Sequence, residues 1–138
     1  MNRAEAPIGS GAENGPINGI SEAAEMAAVT KQTTETLMGG ERIMEALDLA
    51  DTERETFREY EEAMSRMSEN DAMRLQPPPT NPVLAAYGLE PEAYVLKVVE
   101  KVQSTALQDA LLVLPFGKVV SLMVYLNIWA QNVSIIFK

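Results

Sequence analysis

Cysteine and histidine are both absent from the 138 residues. Without them the chain has no Ser-His-Asp or Cys-His nucleophile, no thiolate or imidazole zinc site and no disulfide. The missing cysteine also leaves the redox compartment open. Basic residues are scarce: eleven Lys and Arg stand against twenty Asp and Glu, for a net charge of −9. No stripe of cations is visible, so general electrostatic attraction to nucleic acid, which needs clustered Lys and Arg, is excluded. Residues 1–20 lack the apolar run of a secretory signal, which predicts an intracellular protein. No catalytic residue, cofactor, metal site or small-molecule substrate is expected.

What is present divides unevenly. The first eighty residues hold sixteen acidic and seven basic side chains, and the remainder holds four of each. All of the net charge therefore sits in the first part, while the second is neutral and strongly apolar. This break separates a solvated region from a packing region. At this length the chain holds one modest domain at most. Residues 1–20 are rich in Gly, Asn, Ala and Pro and offer little apolar surface to offset ordering entropy, which predicts a disordered N-terminal segment.

The expected fold class is all-α: a long acidic helix, a proline-rich linker, then short antiparallel helices of an incomplete helical-repeat domain. Residues 21–67 form the acidic amphipathic region, with Ser21 as N-cap and a weak point at Gly39-Gly40. Ile43, Ala50, Phe57 and Met64 recur every seventh residue, joined by Ala46, Tyr60 and Met67, and Glu53 interrupts this stripe. The carboxylates at Glu53, Glu55, Glu59, Glu61 and Glu62 lack the apolar pocket that catalytic acids need. They read as a solvated face carrying pairs such as Glu62–Arg66.

Residues 68–81 form the linker, stiffened by Pro77-Pro78-Pro79. Residues 82–138 form the helical domain. Asn81, Pro82 and Gly88 spell the cap, first residue and left-handed stop of a short helix. Pro91 opens the next, with Val95, Val98, Val99 and Val102 on one face and Lys97 and Lys101 on the other. Ser104 is expected to cap a third helix, striped by Leu107, Ala110, Leu111 and Leu114 and ended by Pro115. The fourth, over about 118–132, is apolar on two faces: Val119, Leu122, Met123, Leu126 and Ala130 on one, Val120, Val124 and Ile128 on the other. The ring of Phe116 is expected to fold back between the third and fourth helices, against Leu111 and Val119. A helix apolar on most sides must be covered by neighbours or lipid. The chain supplies too few helices for that, so other subunits, or the rest of a larger domain, must complete the core.

The segments Lys31–Asp51, Asn81–Gly88, Glu92–Val102 and Ala106–Trp129, with Leu114-Pro115-Phe116 at their centre, resemble the C-terminal helical region of the Utp-twelve-type WD-repeat proteins. These are subunits of the UTP-B complex of the small-subunit processome. The family carries tandem WD-repeat propellers ahead of this region and continues past Trp129. The chain has no such repeats and ends differently after Gln131, so a shortened form is expected. The resemblance implies a structural role in a nuclear, nucleolar assembly that acts in pre-rRNA processing and small-subunit biogenesis with box C/D snoRNP. Its implied partners are other UTP-B WD-repeat subunits, met through their C-terminal helical domains. The snoRNA and pre-rRNA would be reached only through the whole complex, and no membrane is involved. The residues expected to carry core and interface are Leu107, Leu111, Leu114, Pro115, Phe116, Val119, Leu122, Leu126 and Trp129.

Two alternatives stand beside this reading. One is a generic acidic helical adaptor. The other is a tail-anchored membrane protein with its span at 119–137, just long enough for a bilayer core but with Asn127 near its centre, where an unpaired polar group is costly.

Overall fold

The computed structural model describes the backbone of residues 5–136 and the side chains of residues 19–133. Six helices follow in order: α1 (Glu5–Arg66), α2 (Glu69–Ala72), α3 (Pro82–Tyr87), α4 (Pro91–Lys101), α5 (Ser104–Leu112) and α6 (Phe116–Ile136). No strand occurs among the described residues, so the fold is all-α. None of their helices is long and apolar enough to cross a membrane, which leaves the tail-anchor alternative unsupported.

The chain divides into two units, residues 1–35 and 36–138. The first unit holds the beginning of α1. The helix starts at Glu5, inside the stretch whose composition predicts disorder, while residues 1–4 lie outside the described ones. Extending a helix that is already nucleated adds one hydrogen bond per residue fixed, so weak helix formers can follow strong ones. Where side chains are described, this part is solvated: Ile20, Met26 and Val29 are exposed. Thr30 and Thr33 donate their hydroxyls back to the carbonyls of Met26 and Val29 at 2.8 and 3.0 Å.

The second unit has a core of its own. From α1 it takes Ile43, Ala46, Leu47 and Ala50, all buried, and these meet Val95 of α4, Leu114, and Leu122 and Tyr125 of α6. The seven-residue stripe is present but fades along the helix, since Phe57 and Met64 are only half-buried and Met67 is exposed. The sequence-based reading passed over Leu47, which completes the i, i+3, i+4, i+7 face with Ile43, Ala46 and Ala50.

Gly39-Gly40 is not a break. Both glycines are buried within α1. A Cβ on Gly39 would lie 3.0 Å from Val102 Cγ1 and 3.4 Å from Ala110 Cβ, and one on Gly40 would lie 2.8 Å from Val113 Cγ2. The pair lets α1 approach the junction of α4 and α5 more closely than any side chain permits. Gly39→Leu is expected to overpack this seam by ~1–3 kcal/mol. The gain of roughly 1 kcal/mol in helix propensity offsets only part of that. A thermal melt checks it, and a Gly39→Leu protein as stable as the parent would refute the close-approach role.

The linker contains the single-turn helix α2, which has no buried residue, and then the proline run. The punctuation around α3 acts as expected: Asn81 Oδ1 accepts from the Val83 amide at 2.9 Å, and Gly88 takes φ 63°, ψ 33°. Pro91 opens α4, with Val95 buried and Val98, Val99 and Val102 packed beside it. On the opposite face the Lys97 and Lys101 ammoniums lie 4.8 and 5.8 Å from the Tyr87 ring centre. Helix α5 begins at the expected cap itself, one residue early. Gln103 occupies the cap position without a side-chain bond, and Ser104 is the first helical residue.

Candidate protein-interaction surface

Helix α6 is apolar nearly all round, so hydrophobicity alone cannot decide which side turns inward. Its polar handles decide. Tyr125 is fully buried, and its hydroxyl donates to Asp51 Oδ1 at 2.7 Å. One turn earlier, Ser121 Oγ donates to Asp51 Oδ2 at 2.8 Å, so a single carboxylate on α1 receives two hydroxyls from α6. Trp129 extends the same face and donates its indole N–H to the Glu92 carbonyl of α4 at 2.9 Å. At the other end Lys118 is paired with Asp48. The Arg54 guanidinium stands 5.3 Å from the Tyr125 ring centre. Burial pushes the Tyr125 phenol well above its ordinary range, and the bond to the Asp51 carboxylate adds to the shift.

With residues 118, 121, 122, 125, 128 and 129 turned to the core, the other described side chains of α6 are exposed. Phe116 is 83% exposed and Met123 59%, and Val119 and Leu126 are exposed beside them. Leu112, 75% exposed, and Val113 are further exposed apolar residues at the end of α5. Between Phe116 and Val133 the only charged side chain is Lys118, and it is engaged with Asp48. The result is a largely apolar helical face, interrupted by Asn127 but free of charge. Isolated soluble chains rarely present a large surface of this kind, and where it occurs it marks an interaction site.

The nine residues singled out from sequence separate into two groups. Leu114 and Leu122 are buried, and Leu107, Leu111 and Trp129 pack against the core. Pro115, Phe116, Val119 and Leu126 face outward. The expected fold-back of the Phe116 ring does not occur. Phe116 is the first residue of α6, where its side chain points away from the Pro115 corner and has no preceding helical turn to lie on.

Sequence reasoning missed Tyr125, Ser121 and Asp51 entirely. It also took Glu53 for an interruption, whereas Glu53 is only 8% exposed and accepts the Asn81 backbone N–H through both carboxylate oxygens, at 3.2 and 3.3 Å. The remaining acidic residues of α1 behave as a solvated face. Arg58 is clasped between Glu55 and Glu62, and Glu62 also lies 3.9 Å from Arg66. The hydrogen bond from Arg58 holds the Glu55 carboxyl below its ordinary value, and the same pairing raises that of the Arg58 guanidinium. No group of acidic residues suited to hold a metal ion occurs among the described residues.

The chain is similar to known proteins over most of its length. The chain is 37% identical over 107 residues to human WD repeat-containing protein 3, covering 73% of the chain. It is 34% identical over 118 residues, 83% of the chain, to the WD repeat-containing protein 3 homolog of Dictyostelium discoideum. The U3 small nucleolar RNA-associated protein 12 of Saccharomyces cerevisiae matches at 34% identity over 114 residues, 81% of the chain. The chain is similar to the WD repeat-containing protein 3 family. It corresponds to a short stretch of that family, since the matches span only 10–12% of the length of these relatives. No protein-family model matches it. Set against the WD repeat-containing protein 3 relatives, the all-α architecture and the open face of α5 and α6 describe a helical segment of much larger proteins.

Proposed function

We propose that this chain is a structural assembly segment of the nucleolar small-subunit processome, supporting pre-rRNA processing and ribosome biogenesis by helical packing and without catalysis. The observation that carries the proposal is the uncharged apolar face of α5 and α6, left open after the core has taken Leu122, Tyr125 and Trp129. The relatives supply the setting, since the yeast protein's name ties that protein to U3 small nucleolar RNA. We take the finer assignment to be UTP-B, with the open face packed against the helical domains of its other WD-repeat subunits. RNA is then met through the complex as a whole, in keeping with a chain of net charge −9. Buried interfaces of this kind draw their energy from a few central apolar anchors. Phe116, Met123 and Leu126 are the candidates, because they are large, exposed and adjacent.

The test is co-purification of the tagged chain with the UTP-B helical domains, together with its location in the nucleus. Met123→Glu/Leu126→Glu places two charges on the open face without touching the core. We expect it to lose the partners while its circular dichroism and melting stay those of the parent. Glu22→Ala/Glu25→Ala, on the solvated part of α1, is expected to keep them. Retention of the partners by the Met123→Glu/Leu126→Glu protein would overturn the assignment of the face.

A further inference from the structure

A cleft of about 810 Å³ opens on the other flank of α6, between that helix, the 51–61 stretch of α1 and the start of α4. Its apolar surface comes from Phe57, Leu84, Leu89, Val120 and Val124. Leu84 is buried, Phe57 and Leu89 are half-buried, and the two valines are exposed.

The charges around the cleft are partitioned unequally. Both cations on its wall are already engaged: Arg58 by Glu55 and Glu62, and Arg54 against the face of Tyr125. Asp51 is taken by the hydroxyls of Tyr125 and Ser121, and Glu53 by the Asn81 amide. Three carboxylates remain, Glu61, Glu90 and Glu92, and none of them makes an ion pair among the described residues. The unspent charge of the cleft is therefore wholly negative, and it lies beside unburied aliphatic side chains.

We propose that this cleft docks a basic amphipathic segment of another protein, with large apolar side chains on the floor and Lys or Arg against Glu61, Glu90 and Glu92. The volume falls within the ~300–1,000 Å³ of sites that enclose a compact ligand or a few anchoring side chains. Complementary charge would steer the encounter and fix the register, while the apolar floor supplies most of the affinity. A phosphate-bearing ligand is repelled by the same rim. The occupant is distinct from the partners of the uncharged face, which has no charge to match.

The experiment uses the full chain and a fluorescein-labelled Leu/Lys peptide long enough for roughly four amphipathic helical turns. Binding is read by fluorescence anisotropy, and its place by the methyl resonances of Val120 and Val124. We expect saturable binding that shifts these methyls and weakens with salt. Glu61→Gln/Glu90→Gln/Glu92→Gln should weaken it about tenfold, as expected for losing three partly exposed pairings. The matched control Glu22→Gln/Glu25→Gln/Glu41→Gln, which removes as many charges elsewhere, should leave it unchanged. A Leu/Glu peptide should not bind. Equal weakening by the control variant would reveal attraction to bulk charge and overturn the proposal. So would full displacement of the peptide by spermine, which marks a polycation site without apolar recognition. Shifts confined to Met123 and Leu126 would place the peptide on the other face and overturn it as well. Loss of UTP-B partners by the Met123→Glu/Leu126→Glu protein bears only on the earlier assignment, so the two readings fail separately.

Discussion

Tyr125→Ala is expected to destabilise the 36–138 unit by ~3–5 kcal/mol, the range for deleting a buried aromatic ring. Tyr125 is the largest fully buried side chain, and its ring lies in the cluster formed with Ile43, Leu47 and Val95. Its removal opens a cavity and withdraws one of the two hydroxyls on Asp51. Tyr125→Phe separates these effects, because it keeps the ring. A hydrogen bond to a charged group contributes ~1.5–3 kcal/mol. The lower end applies here, since Ser121 still satisfies the other Asp51 oxygen. Urea denaturation followed by circular dichroism measures both variants, and equal losses for Ala and Phe would show that packing around the ring contributes nothing.

The same residue sets an alkaline limit. Its phenol is raised above the ordinary value, first by burial and then by Asp51. A group raised in the folded state contributes stability that is fully present below its unfolded pKa, ~10 for tyrosine, and is lost as pH rises through the folded value. Stability of the parent should therefore decline above about pH 10. The Tyr125→Phe protein should lack that part of the decline.

Glu53→Ala should lower stability by ~1–3 kcal/mol, the cost of leaving a buried donor unmade. The start of α3 has a complete set of partners: Glu53 takes the Asn81 N–H, Pro82 has none to offer, and Asn81 Oδ1 takes that of Val83. Removing the carboxylate unhooks the Asn81 amide and with it the link that holds α3 to α1. Glu53→Gln retains an acceptor and should lose less. Amide exchange at Asn81 and Leu84 reads the effect locally, and unchanged protection in Glu53→Ala would show that the link is dispensable.

These residues mark where sequence and structure part. The ends of α3 were readable from Asn81-Pro82 and Gly88, because caps and left-handed stops are local chemistry with few solutions. The α4 face was readable from Val95, Val98, Val99 and Val102, since a helix with one apolar side has one way to pack. On α6 the same method fails. With apolar residues on most sides, periodicity ranks two valine and leucine faces alike, and the inward side takes Leu122 from one and Ile128 from the other. The choice depends on which side can place Ser121, Tyr125 and Trp129 against acceptors on α1 and α4, and those acceptors are as far as 74 residues away in the chain. Gly39 and Gly40 were misread for a related reason. Glycine in a helix weakens it locally, but its use here is a close approach to Val102, Ala110 and Val113, which lies outside any local window. Leu114, Leu122 and Trp129 turn to the core, whereas Phe116 stays exposed because it opens a helix.

The 74-residue separation between Asp51 and Tyr125 also orders events during synthesis. The α1 stripe at Ile43, Ala46, Leu47 and Ala50 emerges from the ribosome long before the tyrosine that closes over it. At ~5–20 residues per second the interval is about 4–15 s. During that time the apolar ridge gains only partial cover, from Val95 and then Leu114. The carboxylates of the solvated face of α1, such as Glu59 and Glu61, repel neighbouring nascent chains until α6 arrives.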